Sequence, residues 1–382
     1  MDVCSTKDSR RNRMIYGHGG DIYTYKDMLD FSVNINPLGT PERVITAAKR
    51  GVECAAVYPD SRCRELRGKL AGKQGIAEES YIFGNGAAEI IYTLVLAEKP
   101  KRALIPVPAF SEYEQALKSV GCEIIYYYTK ENNCYCIDEN FLRELKEDID
   151  IVFLCSPVNP SGHMIDKELL RQAADICEKS GIRMVLDECF TEFLDAPEKY
   201  SMIDESKKYR QLFILRAFTK IYAMPGLRLG YGISSDQNLL ERMEQMRQPW
   251  SVSVPAQEAG TAALDEEEYV EKARQVITAE RNYLEEELKE TGIKFISSDV
   301  NFILLYTEIN LFYEMKKHGI LIRNCENYRG LGEGWYRIAV RMHEDNLCLI
   351  NALKDIRMEF GEAVGEGSKR TEETGDRTEE TR

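Results

Sequence analysis

Short runs of Val, Ile, Leu and Phe recur along the middle of the chain and alternate with segments of helical pattern. Three clear examples are residues 149–155, 183–187 and 211–215. Strands that are apolar on both faces are typical of a mainly parallel sheet covered by helices on both sides. The pattern therefore predicts an α/β fold, in which ligands bind beyond the carboxyl ends of the strands.

The same pattern predicts the order of the elements. The expected strands of the first part are residues 81–83, 102–106, 123–128, 149–155, 183–187 and 213–216. The helices expected around them are residues 41 onward, 61–72, 87–97, 113–120 and 166–180. A second part begins with one long charged helix over residues 256–290. It continues with strands at 302–306, 320–323 and 335–340 and helices at 311–317 and 346–358.

A chain of 382 residues is long enough for one large and one small domain. We expect an N-terminal arm over residues 1–40, a large domain over 41–250 and a small α+β domain over 251–358. Residues 359–382 repeat Thr-Glu-Glu-Thr and contain few large apolar side chains. Because such a segment buries too little surface to order itself, it is predicted to be a disordered acidic tail.

The composition excludes several classes of partner. A net charge of −14 argues against nucleic acid or an anionic membrane as a general partner. No apolar run is long enough to span a membrane, and residues 1–20 lack a signal-peptide core. The 11 cysteines show no paired spacing, which favours reduced thiols over disulfides or a structural zinc site. We therefore expect a cytoplasmic protein without a metal.

Reactive or polar residues follow four of the predicted strands. Gly86 and Ala87 lie at a strand–turn–helix junction, whose free N–H groups can hold a phosphate. Asn159 comes just past a strand, Asp187 ends one, and Lys220 follows another. Each feature alone is commonly a turn, a helix cap or a solvated lysine. Their shared position at strand ends is much harder to reach by chance and favours a binding site.

Lys220 indicates which ligand this site would hold. A lysine kept out of water has a lowered pKa, which makes its amine a nucleophile toward aldehydes. Thr219 and Arg228, which lie close to it in the sequence, could both bind a phosphate. Pyridoxal 5′-phosphate carries both an aldehyde and a phosphate. No G-x-G-x-x-G follows a predicted strand, which disfavours a dinucleotide-binding dehydrogenase.

These motifs resemble those of the fold-type-I pyridoxal-phosphate enzymes over residues 17–356. The resemblance is to the branch that holds histidinol-phosphate aminotransferases and threonine-phosphate decarboxylases. Residues 18–20, 31–39, 250–252 and 321–328 are closer to the decarboxylases. The aminotransferases typically carry glutamate where this chain has Ile35 and tyrosine where it has Phe190.

The resemblance implies a role for each residue that would contact the cofactor ring. Lys220 would bind the cofactor covalently, and Asp187 would pair with its protonated pyridine nitrogen. Asn159 would bond the 3′ oxygen of the ring, and Phe110 would stack on the ring. Phe190 has no hydroxyl to add a second hydrogen bond to that oxygen.

The resemblance also assigns the cofactor phosphate to four residues of the same chain, namely Gly86, Ala87, Thr219 and Arg228. Tyr58 would reach the cofactor phosphate of a neighbouring subunit. This role implies a homodimer with an active site at its interface.

The same resemblance implies that the anionic groups of the substrate would be bound by His18, Gly19, Asn34, Asn159, Arg323 and Arg337. Guanidinium groups suit carboxylate and phosphate equally well. The expected substrate is therefore a small phosphorylated amino acid.

The expected activity is decarboxylation of O-phospho-L-threonine to (R)-1-amino-2-propanol phosphate, the linker of the cobalamin nucleotide loop. The alternative is an aminotransferase acting on histidinol phosphate or a related amino acid. A non-catalytic binding protein of the same fold is disfavoured, because such a protein would be expected to have lost the reactive lysine, and this chain retains Lys220. The choice between the two reactions depends on which bond stands perpendicular to the cofactor ring, and the sequence leaves it open. The sequence also does not decide whether the substrate is phosphothreonine or phosphoserine, because the two differ by only one methyl group.

Overall fold

Two domains, each built on its own sheet, make up the computed structural model, which describes residues 17–372 and the side chains of residues 17–360. In chain order, the strands are β1 (Leu29–Asp30), β2 (Tyr81–Gly84), β3 (Arg102–Val107), β4 (Glu123–Tyr128), β5 (Ile151–Cys155), β6 (Arg183–Asp187), β7 (Leu212–Ala217), β8 (Gly230–Ser234), β9 (Lys294–Ile296), β10 (Phe302–Tyr306), β11 (Ile320–Leu321), β12 (Arg323–Asn324) and β13 (Trp335–Ala339). The helices are α1 (Glu42–Glu53), α2 (Arg64–Gln74), α3 (Gly86–Glu98), α4 (Ser111–Ser119), α5 (Lys167–Ser180), α6 (Pro197–Tyr200), α7 (Phe218–Ile221), α8 (Gln237–Met246), α9 (Val254–Ala263), α10 (Glu267–Thr291), α11 (Leu311–Lys317) and α12 (His343–Glu372).

The large domain is organised around a seven-stranded sheet of order β2-β8-β7-β6-β5-β3-β4. Strands β7, β6, β5, β3 and β4 pair in parallel. Strand β8 runs antiparallel to both β7 and β2. The predicted mainly parallel sheet is therefore confirmed. Strand β8 was not predicted, because two of its five residues are glycines and interrupt the apolar run.

Both faces of this sheet are buried, as the apolar strands predicted. Along β7, Leu212 and Ile214 belong to one apolar cluster, and Phe213 and Leu215 belong to the cluster on the opposite face. Side chains alternate between the two faces of a strand, so a run without polar residues needs a cover on each side. The carboxyl ends of β5, β6 and β7 are consequently the open edge at which a ligand can bind.

The small domain contains an antiparallel sheet of order β12-β13-β10-β9. Residues of α10, α11 and α12 pack with this sheet in one apolar cluster, which also includes Phe31 of the N-terminal arm. Strand β1 of the arm pairs in parallel with β11. The predicted strand over residues 320–323 is in fact two short strands, because β11 pairs with the arm and β12 pairs with β13.

The packing of α9 and α10 does not follow the domain boundary that was predicted between residues 250 and 251. Helix α9 was expected to begin the small domain as part of one long helix over residues 256–290. The structure instead separates α9 from α10, and Ala256, Ala259 and Ala263 of α9 join the core of the large domain. Helix α9 also lies close to α1, where a Cβ on Gly51 would lie 2.6 Å from Pro255 Cα. Ile277 of α10 also packs there, whereas Leu284 packs in the small domain, so α10 connects the two.

The C-terminal helix continues past the predicted start of the acidic tail at residue 359. Helix α12 extends to Glu372, so the backbone of residues 359–372 is helical where disorder was expected. A helix already nucleated by packed residues extends by one hydrogen bond per added residue, even where the added residues are polar. Residues 1–16 of the predicted arm and 373–382 of the predicted tail lie outside the described residues.

Across residues 17–372, the structure contains no helix with the length and apolar character needed to cross a membrane. Ten cysteines lie in this part of the chain, and all are free thiols.

Candidate active site

A cavity of about 340 Å³ lies where the carboxyl ends of β5, β6 and β7 face the small domain. It is lined by every residue predicted for the site except Gly86 and Tyr58. The residues of that set that line it are His18, Gly19, Asn34, Ala87, Phe110, Asn159, Asp187, Thr219, Lys220, Arg228, Arg323 and Arg337. The large domain and the small domain thus supply different walls of one cavity.

Lys220 lies on the short helix α7, which follows β7 directly. Burial, assisted by the nearby charges of Arg337 and Arg228, lowers the pKa of its ammonium group from 10.5 to about 8. Its nitrogen lies 5.9 Å from the centre of the Phe190 ring. An amine in this environment is partly neutral near physiological pH, and a neutral amine is the form that attacks a carbonyl carbon.

Asp187 ends β6 and is buried in the same cavity. The Tyr113 hydroxyl donates to Asp187 Oδ2 at 2.5 Å, and the Cys189 N–H donates to Oδ1 at 2.9 Å. Burial raises the pKa of this carboxyl above its usual value, and the two hydrogen bonds oppose that shift. A buried carboxylate favours a cationic partner, because pairing offsets its lost hydration.

The N-terminus of α3 and the Arg228 side chain form a cradle suited to an anion. Gly86 has φ +79°, and a Cβ at this position would lie 2.4 Å from Arg228 Nη2. The guanidinium therefore packs directly on the first turn of α3, where only glycine leaves room for it. Unpaired N–H groups at a helix N-terminus and a guanidinium both attract phosphate. Gly86 belongs to this cradle although it does not line the cavity itself.

Arg323 and Arg337 occupy paired positions on the neighbouring strands β12 and β13. Their exposed fractions are only 9% and 6%. Arg337 Nη1 donates to Asn159 Oδ1 at 2.5 Å, and its Nη2 donates to the Ser32 carbonyl at 3.2 Å. Like charges directly opposite each other on a sheet are destabilising. A bound anion would offset this repulsion.

Two polar atoms on the wall of this cavity have no hydrogen-bond partner within the described part of the chain. They are Arg337 Nε, a donor, and Asn34 Oδ1, an acceptor, and both are buried. Buried polar atoms are rarely left unpaired in folded proteins. These two atoms therefore indicate that the cavity receives a polar ligand.

His18 and Gly19, at the start of the described part of the N-terminal arm, form one wall of the cavity. His18 Nε2 lies 3.0 Å from Glu112 Oε1, and the His18 ring lies 6.1 Å from the Phe110 ring. A Cβ on Gly19 would lie 2.2 Å from the Ser32 carbonyl oxygen, so the backbone passes too close to Ser32 for a larger residue.

Tyr58 lies away from the cavity of its own chain. It is 75% exposed and stacks on Trp250 with 4.5 Å between the ring centres. The family resemblance places Tyr58 at the site of a neighbouring subunit, and that role stays a prediction.

Two tyrosines of the cavity received no role from the sequence. Tyr113 lies in the first turn of α4, and only the fold brings its hydroxyl to Asp187. Tyr328 lies within the stretch that carried the family resemblance, but nothing in the sequence indicated what its hydroxyl contacts. Both are buried and line the cavity.

Comparison with known proteins identifies the family. The family described as aminotransferase class I and II matches residues 26–352. The chain belongs to this family. Its fold is the fold type I of these enzymes, as the sequence predicted. A solved structure, the histidinol-phosphate aminotransferase of Clostridium acetobutylicum, superposes with a TM-score of 0.82 at 32% identity, covering 87% of this chain and 100% of that one.

Curated relatives within the family include proteins described as decarboxylases. The threonine-phosphate decarboxylase of Salmonella typhimurium is 35% identical over 89% of this chain and 96% of its own length. A protein of Caldanaerobacter subterraneus, provisionally described as a threonine-phosphate decarboxylase, is 39% identical over 89% of this chain and 94% of its own length. The chain therefore spans nearly the whole length of both relatives.

Proposed function

We propose that this protein is a pyridoxal-phosphate-dependent decarboxylase of O-phospho-L-threonine. In the reaction, the bond between the α-carbon and the carboxylate breaks and a new C–H bond forms at the α-carbon. One proton is consumed, and the products are carbon dioxide and 1-amino-2-propanol phosphate. By the family resemblance, this product serves as the linker of the cobalamin nucleotide loop.

The residues present fit pyridoxal 5′-phosphate. The aldehyde requires a nucleophilic amine, which Lys220 supplies with its lowered pKa. The pyridine nitrogen requires a buried carboxylate, which is Asp187. The phosphate requires an anion cradle such as the one that Gly86 and Arg228 form. Each group of the cofactor thus has a complementary group on the cavity wall or beside it.

Further residues would hold the cofactor in place. Ala87 and Thr219 would add donors to its phosphate, Phe110 would cover its ring, and Asn159 would bond its 3′ oxygen. In this chain Asn159 Oδ1 already accepts from Arg337. The amide therefore connects the proposed cofactor contact with the proposed substrate contact.

Bound pyridoxal 5′-phosphate supplies an electron sink for the bond that breaks at the substrate's α-carbon. Asp187 holds a proton at the pyridine nitrogen and so maintains that sink. Lys220 returns a proton to the α-carbon, a step for which a pKa near the working pH is suited. Arg323 and Arg337 bind the anionic groups of the substrate and fix which bond is broken.

Two decarboxylase relatives, at 35% and 39% identity over nearly their whole length, are the observation that carries this proposal. The pair of buried guanidinium groups fits the same substrate. Arg323 and Arg337 face each other across β12 and β13 and line the same cavity as Lys220. O-phospho-L-threonine carries both a phosphate and a carboxylate, so it supplies an anionic group for each arginine. Histidinol phosphate has the phosphate alone, but 2-oxoglutarate, the other substrate of an aminotransferase, also has two anionic groups, so the arginine pair fits either reaction.

The test is an assay of the purified protein, loaded with pyridoxal 5′-phosphate, on O-phospho-L-threonine. We expect release of carbon dioxide and aminopropanol phosphate, and no release from the Lys220→Ala variant. A parallel reaction would contain histidinol phosphate and 2-oxoglutarate. Transamination in that reaction, without carbon dioxide from phosphothreonine, would reject the decarboxylase and establish the alternative.

The alternative, an aminotransferase acting on histidinol phosphate, is favoured by one observation. The Clostridium acetobutylicum aminotransferase superposes with a TM-score of 0.82. The proposed cofactor residues serve either reaction equally well. The decision therefore depends on how the substrate is oriented in the cavity.

We also propose that the active enzyme is a homodimer in which Tyr58 of one subunit reaches the cofactor phosphate of the other. An exposed aromatic pair supports this arrangement, since Tyr58 and Trp250 present 75% and 46% of their surface to solvent. Large aromatic side chains of this kind are enriched at protein–protein interfaces.

A further inference from the structure

The loop over residues 325–331, which follows β12, contacts the guanidinium of Arg337. Tyr328 lies in this loop, is buried and lines the cavity. Its hydroxyl lies 3.3 Å from Arg337 Nη1 and 3.5 Å from Asn159 Oδ1. A tyrosine hydroxyl can accept one hydrogen bond and donate another. Tyr328 is therefore placed to bridge the guanidinium and the amide.

The same loop also contacts the second arginine. Asn327 Oδ1 accepts a hydrogen bond from Arg323 Nη2 at 2.8 Å. The guanidinium carbon of Arg323 lies 5.4 Å from the centre of the Tyr328 ring, within the range of a cation–π contact. Tyr328 thus contacts both arginines through different parts of one side chain: its ring meets Arg323 and its hydroxyl meets Arg337.

The loop is anchored to the large domain beside the cavity. Arg329 donates to the two carboxylate oxygens of Glu114 on α4 at 3.1 and 3.4 Å. Its guanidinium carbon lies 4.1 Å from the centre of the Tyr126 ring on β4. These contacts join the small-domain loop to the large domain, which also carries Lys220. The position of Tyr328 is consequently fixed relative to the reacting groups.

The contacts of Arg337 show what the Tyr328 hydroxyl controls. Nη1 is shared by Asn159 and Tyr328, Nη2 is bound to Ser32, and Nε is buried with no partner in the described part of the chain. Of the five N–H donors of the guanidinium, the one on Nε and the second one on Nη2 are therefore left for a ligand. Because a guanidinium is planar, holding Nη1 and Nη2 also fixes the direction of Nε.

We propose that Tyr328 is a positioning residue that fixes the two substrate-binding guanidinium groups relative to each other and so determines which bond at the α-carbon is broken. This inference rests on the proposed function. When the hydroxyl is removed, Arg337 keeps its hydrogen bonds to Asn159 and Ser32 and its contact with the Phe302 ring, but Nη1 loses one of its two partners and the guanidinium gains freedom to turn. The substrate carboxylate is then held in more than one orientation, and removal of the α-hydrogen competes with loss of carbon dioxide.

The principal test is Tyr328→Phe, which keeps the ring beside Arg323 and removes only the hydroxyl. We expect kcat/KM for O-phospho-L-threonine to fall about tenfold or more, as when a hydrogen bond to a charged group is lost. With 2-oxoglutarate present as the amino-group acceptor, the ratio of transamination product to carbon dioxide should rise. Cofactor affinity and melting temperature should stay near those of the unmodified protein. Tyr328→Leu also removes the ring beside Arg323 and should raise KM further.

The matched control is Tyr127→Phe, which removes a hydroxyl that donates to Asp138 at 3.2 Å, away from the cavity. It should leave both kcat/KM and the product ratio unchanged. If Tyr328→Phe does not fold, Arg329→Gln provides the second test. It loosens the loop from Glu114 without removing a group from the cavity, and it should shift the product ratio in the same direction.

Three results would overturn the proposal. One is an unchanged kcat/KM and product ratio in folded Tyr328→Phe. Another is a loss of activity that accompanies a lower melting temperature while the product ratio stays constant, since that is a structural role alone. The third is an unchanged ratio in Arg329→Gln where Tyr328→Phe does not fold.

The test of Tyr328 can fail independently of the proposed function, because the proposed function is decided by carbon dioxide release from the unmodified protein. If that protein instead transaminates histidinol phosphate, its phosphate would bind the same arginines. Tyr328→Phe should then raise KM for histidinol phosphate, and an unchanged KM would reject the role of Tyr328.

Discussion

The hydroxyl of Tyr113 lies 2.5 Å from Asp187 Oδ2, where the first turns of α4 meet the end of β6. Both residues are buried, and the Cys189 N–H donates to the other carboxylate oxygen. Hydrogen bonds to a carboxylate favour its charged form, whereas burial disfavours it. The charge on Asp187 therefore depends on its contact with Tyr113.

Removing that contact should shift the acidic limb of the pH–activity profile. In Tyr113→Phe the Asp187 carboxylate loses a donor, so the pKa of this group rises further above its usual value. Activity should then be lost at a higher pH on the acidic side, and kcat at neutral pH should fall about tenfold. The measurement is the pH dependence of kcat, with Tyr127→Phe as control. Coincident acidic limbs for Tyr113→Phe and the unmodified protein would contradict the prediction.

Asp187→Asn should lower kcat without lowering the stability of the folded protein. The substitution keeps the shape but cannot hold a proton at the pyridine nitrogen by charge, so kcat should fall by orders of magnitude while cofactor affinity weakens less. Near-normal turnover would remove Asp187 from the mechanism.

The same variant should be more stable without the cofactor. The pKa of Asp187 is raised in the folded chain, so this chain binds the proton more tightly than the unfolded chain does. Stability therefore falls as pH rises from about 4, the pKa of an unfolded aspartate, through the raised value. Cofactor-free Asp187→Asn lacks this penalty and should melt at a higher temperature at neutral pH.

Uptake of the cofactor should report the lowered pKa of Lys220. The neutral amine reacts with an aldehyde, so the uptake rate of cofactor-free protein should rise with pH and level off above about 8 rather than above 10.5. Rapid-mixing absorbance of the yellow lysine-bound cofactor measures this rate. Lys220→Ala should remain colourless, and Lys146→Ala, at a surface ion pair with Glu144, should match the unmodified protein. A rate still rising steeply beyond pH 9 would contradict the assignment.

Gly86→Ala should weaken cofactor binding selectively. Its Cβ would meet Arg228 Nη2 at 2.4 Å, and the φ of +79° is unfavourable for alanine. Displacing the guanidinium should raise the Kd of the cofactor about tenfold or more, the loss expected for a charge-assisted hydrogen bond. Gly72→Ala is the matched control, because it lies on α2 with open space around its Cβ. Equal cofactor affinity in the two variants would show that the cradle does not bind phosphate.

Mixed dimers should test the proposed role of Tyr58. A dimer of one Tyr58→Ala chain and one Lys220→Ala chain would contain one site with both residues intact. Dimers purified by two different tags should therefore be more active than the mean of the two parent homodimers. Activity equal to that mean would place Tyr58 outside the neighbouring site.

The strands whose bounds the sequence predicted correctly are runs made mostly of large apolar or aromatic residues. Strands β6 and β10 are almost wholly buried, whereas β4 is a half-buried edge strand, and all three have the expected bounds. Strand β8 was missed because glycine removes the pattern on which such a prediction depends. The separation of α9 from α10 was missed because residues 264–266, which lie between the two helices, include no glycine or proline to mark the break.

The sequence could predict those residues of the cavity that lie at the end of a strand or just after one. Asp187, Asn159 and Lys220 are placed by the common direction of parallel strands, which the sequence indicated. Tyr113 and Tyr328 reach the same cavity from α4 and from a loop of the other domain. Their contacts depend on how helices and domains pack, and no local pattern encodes that.

The division of the cavity between two sheets has a consequence for how this family can diversify. The proposed cofactor-binding groups lie on the large domain, and the paired arginines lie on the small-domain strands β12 and β13. Substitutions in the small domain can therefore alter which amino acid is accepted while leaving the groups around Lys220 untouched. A single ancestral framework could in this way give rise to enzymes that share one set of chemical groups yet release different products.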